Sequence, residues 1–98
     1  MDTIFALKVN DQDNVATVFA QVHAGDTIAV KDKKGGLEHL SALDSFPYGH
    51  KIALADINPG APIIKYGEIL GDATAQIRRG AHVHVHNLAS RRGRGDLE

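Results

Sequence analysis

Residues 45–67 read SFPYGHKIALADINPGAPIIKYG, and glycine or proline breaks the run at Pro47, Gly49, Pro59, Gly60, Pro62 and Gly67. Proline removes a backbone donor and glycine favours turns, so the intervals hold short strands but no helix of ordinary length. The same punctuation continues through KYGEILG and RRGAH. It predicts a compact, heavily turned β structure for this half of the chain. KIALADI, between Gly49 and Gly60, leaves room for one or two turns of helix, because periodicity cannot type so short an apolar run.

Working toward the N-terminus, TIFALKVN sets Ile4, Ala6 and Lys8 against Phe5, Leu7 and Val9, the alternation of a strand. NDQDN supplies turn formers, and NVATVFAQV follows as a second β-branched run, so the two are expected to pair as a hairpin. GDTIAVKDKKGGLEHLSAL reads as a strand, a Lys-Lys-Gly-Gly turn and another strand.

With 98 residues there is room for one small core and one domain. A 43% hydrophobic and 23% charged composition is that of a globular protein, and a formal charge of −1 recruits neither nucleic acid nor anionic lipid. No cysteine is present, which excludes disulfides, thiolate catalysis and cysteine-type zinc sites. The start MDTIFALKVNDQDN lacks the basic and apolar regions of a signal peptide, and no apolar run reaches the roughly 20 residues that span a bilayer. A cytoplasmic protein with no membrane contact is expected. The composition changes after Leu88 to ASRRGRGDLE, so 1–88 is expected to be the domain and 89–98 an exposed tail.

Chemistry concentrates in RRGAHVHVHNL, residues 78–88. As a strand it would put His82, His84 and His86 on one face and Ala81, Val83 and Val85 on the other. Two neighbouring imidazoles could reach one metal, and the same spacing also suits a solvent-facing strand. Lys51, after a glycine turn, and Lys65, before a Tyr-Gly turn, stand at the ends of short strands, where an ammonium group can hold a carboxylate or phosphate or simply snorkel to water. Phosphate-loop, dinucleotide and nucleophile-elbow patterns are missing.

Read in order, DNVAT, GHKIALADI, IIKYGE, LGDATAQIRRG and HVHVHN resemble the amino-terminal domain of the altronate/galactarate dehydratase family. That is an SAF-type domain with a β-clip fold, which also occurs as a separate small subunit. The resemblance runs from about Asp13 to Asn87 and implies a mainly β, small SAF-type β-clip domain with short strands and many turns. The family's motif positions fall on Gly49, His50 and Lys51, on Lys65, Tyr66 and Gly67, and on His84, His86 and Asn87. His82 occupies a more variable position, and Leu70-Gly71 stands where the family commonly shows Ile-Gly.

By that resemblance His50, Lys51, Lys65 and Tyr66 are the expected catalytic residues, Lys51, Lys65 and Asn87 contact the substrate, and His84 and His86 hold a divalent metal, Fe2+ or Mn2+. The family's full enzymes dehydrate sugar acids and carry a much larger carboxy-terminal region. A large catalytic subunit is therefore the expected partner and a sugar acid the expected substrate, with homo-oligomerisation left open. Two other readings stand beside this one. The chain could be a non-catalytic sugar-acid binding or assembly module, or the small subunit of a sulfolactate sulfo-lyase, whose leaving group is sulfite.

Overall fold

Short strands separated by glycine turns build the whole architecture. The computed structural model describes residues 3–90, and within them the chain forms β1 (Ile4–Lys8), β2 (Val15–Val18), β3 (Thr27–Asp32), β4 (Leu37–Ser41), β5 (Lys51–Ala53), β6 (Pro62–Lys65), β7 (Glu68–Ala73), β8 (His82–Val83) and β9 (Leu88–Ser90). The expected mainly β domain is what the structure shows. No helix among the described residues is long and apolar enough to cross a membrane.

Six strands form one sheet in the order β4-β3-β1-β2-β5-β8, and β6-β7-β9 form a second. The expected pairs are present: β1 runs antiparallel to β2, with Ala6 opposite Val18, and β3 antiparallel to β4. The parallel pairing of β1 with β3 has no local sequence signal, because the two strands are brought together by β2 folding back on the other side.

Strands β2 and β5 are the wall between two cores. Ala16, Val18 and Ile52 face the larger cluster, with Val22, Ile28, Val30, Leu40 and Phe46. Val15 and Ala53 face the smaller one, with Ile57, Ile63, Ala73, Ile77 and Val83. Burial on both faces explains why these runs are continuously apolar. It also corrects the reading of KIALADI: Lys51–Ala53 is a strand, held between β2 and β8, and no helical turn forms there.

Four corners share one construction. VHAG, FPYG, INPG and IRRG each begin on a buried apolar residue (Val22, Phe46, Ile57, Ile77) and end on a glycine with φ of 95°, 86°, 84° and 93° in turn. They interlock in pairs. Val22 and Phe46 exchange two backbone hydrogen bonds of 2.9 and 3.0 Å, as Ile57 and Ile77 do at 2.7 and 2.8 Å. Each glycine N–H then donates to the strand that leads into its partner corner: Gly25 to Ala42, Gly49 to Val18, Gly60 to Ala73 and Gly80 to Ala53, at 2.8–2.9 Å. The left-handed φ is cheap only for glycine, which is why the punctuation is glycine.

The histidine segment departs from the expected strand. β8 ends at Val83 and residues 84–87 form a turn, so Val85 is 81% exposed instead of sharing a face with Val83. At the C-terminal side, β9 pairs with β7 through Ser90 and so extends past the expected boundary at residue 88. Residues 91–98 of the expected tail lie outside the described residues.

Candidate functional site

The site residues leave the corners in a fixed direction. His50 and Lys51 follow the Phe46 corner directly, and His82 follows the Ile77 corner after Ala81. Pairing of β5 with β8 then sets Ile52 opposite His82 and Lys51 opposite Val83. Residues far apart in sequence thereby become neighbours.

His82 is the centre of a stack. Its ring lies on Phe46 at 4.8 Å between centroids and 7° between planes, and on His50 at 5.0 Å and 24°. His84 stacks on His50 at 4.0 Å, and His86 approaches His82 at 5.0 Å with a 39° tilt. His50 Nδ1 and His82 Nε2 share a hydrogen bond of 2.8 Å. One donor atom from each of His50, His82 and His84 can be chosen so that all lie within 4.8 Å of one another, and all three residues are half-buried. His86, expected as a metal ligand with His84, is exposed and lies outside that set. His82, read as variable, is inside it.

Backbone contacts hold the stack in place. Asp44 Oδ2 accepts from His82 N–H at 2.9 Å. Asn87 Oδ1 accepts from His84 N–H at 3.0 Å, while Asn87 Nδ2 donates to the His82 carbonyl at 2.9 Å. Asn87, expected to contact substrate, uses one hydrogen bond at each end of its amide to hold the histidine turn.

The electrostatics favour the neutral forms of His82 and His84. Burial, reinforced by repulsion from His86, His50 and His84 and opposed by Asp44, pushes His82 down to about 4. His84 is lowered too, by burial first and then by the charges of His50 and Lys51. A neutral imidazole keeps a lone pair for a proton or a metal.

The two lysines come from different sheets and lie near enough for the charge of Lys65 to act on Lys51. Lys51 points to the face of Ala53 and Val83, opposite to Ile52, so strand alternation sends it away from His82 although its charge still reaches His84. Lys65 comes from β6, where Lys65-Tyr66-Gly67-Glu68 makes a two-residue hairpin loop. Tyr66 and Gly67 have φ of 56° and 75°, the pair of positive values a type I′ turn requires, and a tyrosine is rare in that conformation. Asp13 and Asn14 fix this hairpin. Gly67 N–H donates to Asp13 Oδ1 at 2.8 Å, and Asn14 bonds Ile64 N–H and the Pro62 carbonyl at 2.7 and 2.9 Å. Burial, then the Lys65 charge, lowers the Lys51 ammonium from its ordinary range. Lys65 Nζ lies 4.7 Å over the Tyr66 ring, and no ion pair among the described residues includes Lys51 or Lys65.

Residues 4–91 match the altronate/galactarate dehydratase SAF domain. Over 81 residues the chain is 41% identical to the altronate dehydratase of Escherichia coli K12, covering 83% of this chain and 15% of that enzyme. It is 40% identical to the galactarate dehydratase (L-threo-forming) of the same organism, covering 14% of it. The (2R)-sulfolactate sulfo-lyase subunit alpha of Chromohalobacter salexigens is 35% identical over 88 residues, and there the match covers 86% of this chain and 93% of the relative. The chain thus spans about a seventh of the dehydratases and nearly all of the sulfo-lyase subunit.

Proposed function

Because the chain belongs to the altronate/galactarate dehydratase SAF domain family, we propose that it serves as the small-subunit part of a lyase, removing water from a sugar acid of the altronate or galactarate type. One observation carries this reading: Lys51 and Lys65, delivered from different sheets, lie near enough for their charges to interact, the Lys51 charge also reaches His84, and no ion pair among the described residues includes either lysine. Two like charges in a partly desolvated place repel each other until an anion joins them. A substrate carboxylate is such an anion.

The elimination removes a proton α to that carboxylate and expels the β-hydroxyl, so negative charge grows on the carboxylate as an enolate forms. Lys51 holds the carboxylate already in the ground state, and Lys65 adds a second positive charge near it. A neutral imidazole of the stack is able to accept the α-proton, and the Tyr66 phenol, lying under the Lys65 ammonium, is able to supply one to the departing oxygen. These groups stand on an open surface of short strands, so a large catalytic subunit is the partner that would cover them and exclude water.

The divalent metal implied by the resemblance finds imidazole donors in this stack. Imidazole suits iron better than manganese, which favours carboxylate and water oxygens, so the residues fit Fe2+. Bound there, the ion would supply Lewis-acid polarisation of substrate oxygens.

A second reading differs only in the leaving group, sulfite instead of water, and is favoured by the near-complete coverage of the sulfo-lyase subunit. The test is to reconstitute the chain with its large partner and assay altronate and galactarate dehydration alongside sulfite release from sulfolactate. Lys51→Met is expected to raise KM about 10-fold or more with a smaller effect on kcat, as for loss of a ground-state carboxylate contact. A Lys51→Met, Lys65→Met double variant with unchanged KM and kcat would reduce the chain to a binding or assembly module.

A further inference from the structure

We infer that His50, His82 and His84 form a self-contained site for an imidazole-preferring divalent ion, of the zinc, cobalt or iron class, that this chain binds without any partner. The inference adds a place and a selectivity to the lyase reading above, but it rests on the chain's own geometry and is measured without turnover.

Three features support it. The first is convergence: donor atoms from two strand ends and a turn come within 4.8 Å of one another, close to the roughly 3.3 Å ligand separation of a tetrahedral nitrogen site. The second is availability. Apart from the hydrogen bond between His50 and His82, the ring nitrogens of the three residues take no hydrogen bond from the described protein, and the half-buried rings keep contact with solvent. The third is fixation of the backbone that carries the donors before any ion arrives. Asp44 holds the His82 backbone, Asn87 holds the turn of His84, Val18 N–H donates to the His50 carbonyl at 3.0 Å, and Phe46 backs the His82 ring. A pre-ordered backbone loses little entropy on binding.

Selectivity follows from the donor set. It contains three imidazoles and no carboxylate, so it suits borderline ions and offers nothing to Mg2+ or Ca2+, which require oxygen. Three protein ligands also leave a coordination position for water or substrate, as in catalytic sites. The rings now lie layered, His50 over His84 at 17°, so binding has to turn at least one of them about its Cβ–Cγ bond. That torsion is broad and soft.

The experiment is a titration of the 98-residue chain with Zn2+ and Co2+ near neutral pH, read by calorimetry, by the visible absorption of bound Co2+ and by the rise in melting temperature. One ion per chain is expected, with Mg2+ inert. His50→Ala and His84→Ala should each weaken binding by at least about 100-fold while His86→Ala stays within about threefold, since loss of an outer-shell partner alone costs 10–100-fold. Circular dichroism of the ion-free variants separates lost binding from lost folding, and His82→Gln, which keeps a polar side chain beside Phe46, serves if an alanine variant does not fold. Absence of binding to the folded wild-type chain would overturn the inference, and so would a His86→Ala loss equal to that of His50→Ala. A reconstituted lyase that depends on Lys51 while the chain binds no ion would remove this inference and leave the lyase reading. Ion binding by a chain that reconstitutes no lyase would do the reverse.

Discussion

His82 shows how one residue can carry opposite demands. Its ring is packed against Phe46 and three other imidazoles, so a charge there is opposed by burial and by its neighbours, and its pKa falls from the ordinary 6.5 to about 4. The sign of the linkage follows. Between those two values the unfolded chain binds a proton that the folded chain does not, so stability is fully present above about pH 6.5 and declines as the pH falls toward 4. The ion-free chain should therefore lose urea resistance across this window, and His82→Gln should flatten the slope. A wild-type stability that is level from pH 7 to pH 4.5 would show that the stack tolerates the charge.

Among the elements, the glycine corners are alike in φ but not in surroundings. An added Cβ at Gly25 meets nothing within 4 Å, whereas at Gly80 it would run into the carbonyl of Ser41. Gly80 also donates and accepts across the junction, N–H to Ala53 and carbonyl from Leu43 N–H, both at 2.9 Å. Gly25→Ala is therefore expected to cost only the left-handed penalty of about 1–2 kcal/mol. Gly80→Ala should cost clearly more, because backbone must move as well, and its effect should reach His82 two residues on. Comparing denaturation midpoints of the two variants checks this. Gly71 is constrained for a different reason: its place opposite Ser90 leaves no room for a side chain against the Ala89 carbonyl, so the Leu-Gly pair is a packing requirement of β7 on β9.

For the molecule as a whole, the shared wall of β2 and β5 makes two cores into one cooperative unit. Ile63 is fully buried in the smaller cluster, and Ile63→Ala should cost about 2–4 kcal/mol. The loss should appear as a shift of a single transition, with hydrogen exchange accelerated equally at Ile28 in the larger core. A separate early transition confined to β6, β7 and β9 would mean that the wall does not couple them. The same coupling matters for the site. Lys65 belongs to the smaller sheet and Lys51 to the larger, so their spacing is kept only while the two sheets stay docked.

The β class, the β1–β2 and β3–β4 hairpins and the turn at Tyr66-Gly67 were legible from the residues alone, because alternation and turn chemistry act over a few neighbours. The resemblance likewise marked His50, Lys51 and Lys65. What the chain order could not reveal was who meets whom. His50 and His82 share a hydrogen bond across 32 residues of separation, and the β5–β8 pairing, which begins just past the Phe46 and Ile77 corners, brings them together. Strand alternation put His82, His84 and His86 on one face and the resemblance singled out His84 with His86, yet the Asn87 clamp holds a turn that follows Val83, and there His84 stacks on His50. Local patterns decide the conformation of a segment. Its neighbours are decided by long-range backbone pairing and burial, and those exist only once the whole chain is folded.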